Sequence, residues 1–174
     1  VLFFFFSGEP LEVMMSHIKR KGQSKANCLR QKRRPPADLK AMVQQHGDDI
    51  SSISDESFCA AHLATLCQSA LKEYKASPGL RMVNYDHIPG IFMDDIIPYH
   101  FVKEGRLDRD ARERIETVSK RYSKGKFEGK QWEADSDVKQ AKAWEEMRSA
   151  SDKYLRPIYE ELQKLASEGG GENN

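Results

Sequence analysis

The sequence predicts an α/β fold that is mostly helical, with about two short parallel strands. Three observations predict it. An unbroken apolar run at residues 1–6 passes through Ser7 and Gly8 into apolar residues at helical spacing. A second apolar segment, LRMVNY at 80–85, follows a long helix-like stretch closed by Pro78 and Gly79. Charged residues make up 32% and apolar ones 39% of 174 residues, as in a helix-rich chain long enough for one domain with a real core. Two strands do not make a stable sheet by themselves. The pattern therefore reads as the C-terminal part of a single domain, residues 1–168, with a disordered tail at 169–174.

Residues 1–6 form a continuous apolar run, as expected of a short buried strand. Glu9 and Pro10 suit a helix start: Pro lacks a donor that would be orphaned there, and Glu favours the positive end of the helix dipole. Leu11, Met14, Met15 and Ile18 then share one face. Between 19 and 40 there are nine basic residues and one acid, Asp38, interrupted by Pro35 and Pro36. This stretch, 19–40, is expected to be an exposed loop, mobile and dispensable for folding, within a basic loop insertion spanning 19–50 that includes a short helix at 39–46 ended by Gly47. From Ser54 a helix with Asp55 and Glu56 in its first turn presents Phe58, Leu63, Leu66, Cys67, Ala70, Leu71 and Tyr74. After the second strand comes a short helix bounded by Pro89 and Pro98, then a charged helix capped by Asp108 and stopped by Gly125. A long terminal helix from about residue 136 should kink or divide at Pro157.

Net charge is +1, so the whole chain has no bias toward polyanions. No run approaches the roughly 20 apolar residues of a membrane span. Residues 1–6 are too short for a signal-peptide core and have no basic region before them. Cys28, Cys59 and Cys67 have no metal-type spacing and read as reduced thiols of a cytosolic-type domain. His62, His87 and His100 show no ligand spacing, so no metal is expected.

The blocks EPLEVMMSHI, FCAAHLATLCQSAL, MVNYDHIPGIFMDDIIPYHF and YSKG, in that order, resemble the sulfotransferase family, which has a three-layer P-loop-type α/β fold. The resemblance spans roughly residues 9–165 and rests on block order rather than one decisive motif. In that family a strand ends in Arg, followed by an acid, a Pro and a helix, with a Ser eight residues after the Arg. The Arg and Ser hold the 3′-phosphate of 3′-phosphoadenosine 5′-phosphosulfate (PAPS). Here the Ser position is Ser16, and Gly8 stands where the Arg would be. The resemblance also matches Lys124, Gly125 and Gly129 to a loop that closes over the 3′-phosphate, although Ser123 replaces its usual Arg and the spacing differs. A turn after a helix explains those glycines equally well.

Two departures bear on activity. The family's phosphosulfate loop does not occur in this chain, and its general base normally lies upstream of this region. Sulfuryl transfer is in-line attack of a hydroxyl or amine on the phosphosulfate sulfur, and it needs cationic and N–H donors plus a base. The resemblance thus implies a parent that sulfates a small-molecule or sugar acceptor with PAPS as co-substrate, and a chain that is inactive by itself. The opening stretch has two readings: a strand leading to the 3′-phosphate site, or a translated intron end, since FFFFSG can be encoded by a pyrimidine tract followed by CAG.

Other residues read more plainly. His17 is expected in solvent. Asp94 and Asp95 are adjacent and cannot share one helix-face site. Asp86 reads as a turn cap, and Trp132 and Trp144 as core or groove packing. Two rival functions remain: a non-catalytic interaction remnant of the fold, and a polyanion-binding protein using the basic loop. Nucleic acid is the less favoured polyanion, because the basic stretch has no interleaved aromatics for base stacking.

Overall fold

The computed structural model describes residues 3–18, 27–77, 80–84, 87–102, 106–121, 129 and 136–168. The described residues of Val1–Asn84 with Ser136–Asn174 form one compact unit, and those of Tyr85–Asp135 a second.

In the first unit, β1 (Phe3–Ser7) leads through Gly8 and Glu9 into α1 (Pro10–His17). Glu9 caps α1, its Oε2 accepting the Glu12 N–H at 3.0 Å, and Pro10 occupies the first turn. Leu11, Met14 and Ile18 are buried and Met15 half-buried, so the helical spacing marked the correct face. β2 (Leu80–Asn84) runs parallel to β1 in register Phe3↔Leu80 to Ser7↔Asn84. Among the described residues these two strands form the whole sheet.

Residues 27–50 are an exposed loop only in part: Arg30, Gln31, Arg33 and Arg34 are exposed, whereas other side chains enter the core. A 3₁₀ turn (Asn27–Leu29) and α2 (Ala37–Gln45) place Cys28, Leu39, Met42 and Val43 in the main core. Gly47 closes α2 with φ of 76°, a conformation that favours glycine. Two of the three cysteines overturn the thiol expectation: Cys28 is disulfide-bonded to Cys59, while Cys67 is free. Near neighbours in sequence gave no hint of that pairing, because 31 residues separate the two. The bond and the Leu39, Met42 and Val43 side chains hold the segment from Asn27 onward against α3, so this part is not dispensable. Residues 19–26 lie outside the described residues.

α3 (Asp55–Ala76) is the central helix, with Ser54 Oγ accepting the Ser57 N–H at 3.1 Å. Phe58, Cys59, Ala60 and Ala61 are consecutive and all fully buried, so the helix is enclosed on every side at this level. Cys and Ala are small enough to let neighbouring elements close around it. Further along, burial narrows to a stripe containing Cys67, Leu71 and Tyr74. Leu66 was expected on that face but is 52% exposed. It lies one residue, about 100°, round the helix from Cys67.

The predicted terminal helix is three helices: α6 (Ser136–Ala141), α7 (Glu145–Ala150) and α8 (Arg156–Glu168). The break falls near residues 142–144 rather than at Pro157. A π-helical turn, Ser151–Leu155, joins α7 to α8, and Pro157 follows it. The wide turn relaxes the backbone where Pro has no N–H to donate and its ring would crowd the preceding turn. α8 packs on both strands, and Leu162 and Ala166 meet Leu71 and Met82 in a second apolar cluster.

The loop after α2 is locked onto this π turn. Asp48 accepts from Lys153 Nζ at 2.7 Å and from the buried Tyr154 hydroxyl, while the His46 and Tyr154 rings lie 4.6 Å apart. The Lys153 and then the Tyr154 hydrogen bonds hold the Asp48 carboxyl below its usual range. Burial, then the bond to Asp48, push the Tyr154 phenol far above its own. A carboxyl lowered by folding adds stability above its unfolded pKa and loses it as pH falls through the folded one. Asp48→Asn should therefore cost about 1–2 kcal/mol at pH 7. That gap should close as pH drops below about 3.9, measured by urea unfolding across a pH series. A gap independent of pH would show that the carboxylate charge is not what holds the loop.

In the second unit a π turn, Phe92–Ile96, runs into α4 (Ile97–Phe101), with Met93 and Ile96 buried. Pro98 was expected as a boundary but lies within the first turn of α4, where no N–H is required of it. α5 (Arg109–Ser119) is capped by Asp108 Oδ1, which accepts the Ala111 N–H at 2.6 Å. It ends at Ser119, ahead of Gly125, which lies outside the described residues. Asp94 pairs with Arg112 and so joins the π turn to α5.

Candidate functional site

The best-defined candidate is the turn between β1 and α1. In a parallel βα arrangement, ligands sit beyond the carboxyl ends of the strands, here Ser7 and Asn84. Gly8 is half-buried, and a Cβ built on it would meet Val13 Cγ2 at 3.5 Å, an ordinary contact. A side chain at this position is thus sterically permitted. What the turn lacks is positive charge of its own.

The charged groups at this turn are already engaged. Glu9 spends one carboxylate oxygen on the Glu12 N–H, while Arg156 Nη2 lies 3.3 Å from the other. Arg156 Nε also donates to Asp152 at 2.8 Å. That hydrogen bond is the leading cause of the guanidinium's raised pKa. One cation is thus shared between two carboxylates, so the start of α1 already holds an intrinsic anion. Neighbouring Glu12 accepts from Gln140 Nε2 at 3.0 Å, which fastens α1 to α6.

Ser16 is exposed on the last turn of α1, and its Oγ donates to Val13 O at 2.7 Å. A bond back to the helix is common for Ser, and it engages the hydroxyl proton that a phosphate would use. Gly8 and Ser16 lie at opposite ends of the helix, roughly 10 Å apart along its axis at 1.5 Å per residue. As they stand, these residues do not fit a 3′-phosphate: one has no side chain, the other's hydroxyl is engaged, and the adjacent charge is negative.

Lys124, Gly125, Asp86 and Trp132 lie outside the described residues. Gly129 has φ of 76° and lines an open depression with Thr117, Lys120 and Arg121. Trp144 packs on the main core and donates from Nε1 to Glu56 Oε1 at 3.1 Å, in line with a packing role. His17, expected in solvent, is half-buried, with Nδ1 shielded and lacking a hydrogen-bond partner. His62 lies within its electrostatic reach, and the His62 pKa is lowered by burial first and by His17 second. Burial raises the Cys67 thiol to about 11, which makes it a poor nucleophile at neutral pH. Among the described residues no group of three or more His, Cys, Asp or Glu could hold a metal ion. None of the described helices is long and apolar enough to cross a membrane.

Sequence reasoning missed the partners of this turn. Arg156 and Asp152 lie more than 140 residues from Glu9, and no local pattern marks them. No family model, curated protein or solved structure matches the chain.

Proposed function

We propose that the chain is the C-terminal part of a sulfotransferase-like α/β domain whose complete parent moves a sulfuryl group from PAPS to a hydroxyl or amine acceptor. The observation supporting this reading is the β1–Gly8–α1 unit with β2 parallel to β1, the order and direction that the sequence resemblance asks for. Lys124 and Gly125 belong to the reading through resemblance alone.

The chain's own residues set a limit on activity. Gly8, Ser16 and Glu9 do not supply the cationic contact that a 3′-phosphate needs, and the phosphosulfate loop is missing from the sequence. Purified chain incubated with PAPS and a panel of phenols, alcohols and sugars is expected to yield no sulfated product by mass spectrometry. Clear turnover would overturn the reading of the chain as a catalytically incomplete part. The nucleotide assignment itself is tested by restoring charge at residue 8, as argued in the Discussion.

A further inference from the structure

The basic stretch offers a different site, one independent of the sulfotransferase reading. We propose that Arg30, Arg33 and Arg34 form a docking patch for an anionic polysaccharide. All three are exposed, and their side chains form no hydrogen bond or ion pair among the described residues. Lys32, lying between them, behaves differently. Its Nζ donates to Ile53 O at 3.0 Å and pairs with Asp55 at 2.5 Å, so this one cation ties the segment to the start of α3. Three guanidiniums are left over, with no structural role to explain them.

They stand on a prepared platform. Cys28, two residues before Arg30, is bonded to Cys59 in the core. Backbone hydrogen bonds from Arg30 N to Asn27 O, Lys32 N to Leu29 O and Arg34 N to Gln31 O hold the turns at 3.3, 3.1 and 3.0 Å. Pro35 and Pro36 restrict the exit. A backbone already ordered loses less freedom when a ligand binds. Guanidinium forks donate two parallel hydrogen bonds to carboxylate- and sulfate-like groups, the anions that acidic polysaccharides carry.

Two observations favour a polysaccharide over nucleic acid. Residues 27–40 contain no aromatic side chain on which a base could stack. The Cys28–Cys59 bond is characteristic of chains that fold in an oxidising compartment and is rare in the cytosol and nucleus, where nucleic acids are concentrated.

The test uses the full, oxidised chain and heparin as probe, with affinity followed by titration over a salt series. Arg30→Gln/Arg33→Gln/Arg34→Gln should weaken binding by about tenfold or more at low salt and reduce the slope of log affinity on log salt by about two to three. A control removing the same charge from α5 and the residue that caps its end, Arg109→Gln/Arg114→Gln/Lys120→Gln, should leave both nearly unchanged. The Arg→Lys triple variant keeps the charge without the fork and should fall between the two. Wild-type behaviour in the Gln variant, or equal loss in the control, would overturn the patch. Single-stranded RNA of matched charge density binding as tightly as heparin would overturn the polysaccharide assignment.

Discussion

Replacing Cys28 and Cys59 together by Ala is expected to lower stability by about 3–4 kcal/mol. The bond closes a loop across a sequence separation of 31, and loop-closure entropy for about that many residues is worth roughly 3.7 kcal/mol at 25 °C. The loss should be felt chiefly by Val1–Asn84 with Ser136–Asn174, because the bond joins two parts of that unit. Both sulfurs belong to side chains that are 2% exposed or less, so Ala at either position also leaves unfilled space. Urea unfolding followed by far-ultraviolet circular dichroism would measure the change in oxidised, reduced and double-Ala chains. Reduced wild type should approach the double-Ala midpoint. Alkylation of the unfolded, unreduced chain should modify Cys67 alone. Three alkylated thiols would return the chain to the reduced, cytosolic-type reading of its cysteines.

Gly8→Arg is expected to raise affinity for adenosine 3′,5′-bisphosphate by about ten- to hundredfold. An Arg meets a phosphate with charge-assisted paired hydrogen bonds, and bonds to charged groups are typically worth about 1.5–3 kcal/mol against about 1 kcal/mol for neutral ones. The backbone at Gly8 admits the change, since the nearest atom to an added Cβ is Val13 Cγ2 at 3.5 Å. The new cation would also offset the Glu9 carboxylate at the start of α1. Ser16→Ala in the Arg background should remove only part of the gain, because Ser16 Oγ must first leave Val13 O. Calorimetric titration of the four variants checks this. If neither substitution alters affinity, the proposed 3′-phosphate site is wrong, and with it the residue-level support for the sulfotransferase reading.

Much of the local structure was legible in the sequence. The buried face of α1, the Ser54 and Asp108 caps, α2 with its Gly47 stop and the position of β2 all follow from short-range rules of periodicity, capping and chain-breaking residues. These are decided by neighbours within about four residues, so one sequence suffices. Two of the boundaries that were missed share a cause. Pro98 and Pro157 read as interruptions, yet each follows a π turn that accommodates it, and nothing in the sequence announced a widened turn.

Three further features were decided by the tertiary structure alone. Residues 27–50 are basic and Pro-rich by composition, but Cys28, Leu39, Met42 and Val43 become core once Cys59 and α3 lie beside them. The Glu9–Arg156–Asp152 and Asp48–Lys153–Tyr154 clusters join residues that are remote in sequence, so they exist only after the helices have packed. The sequence by itself determined α1, α2 and α3, the two apolar strands and the missing charge at Gly8, because each depends on residue type and local spacing. Only the tertiary structure decided which cysteines pair, which part of the basic stretch is core, and which cations remain free. Those properties depend on who the spatial neighbours are, and burial by distant elements, rather than any intrinsic preference, selects them.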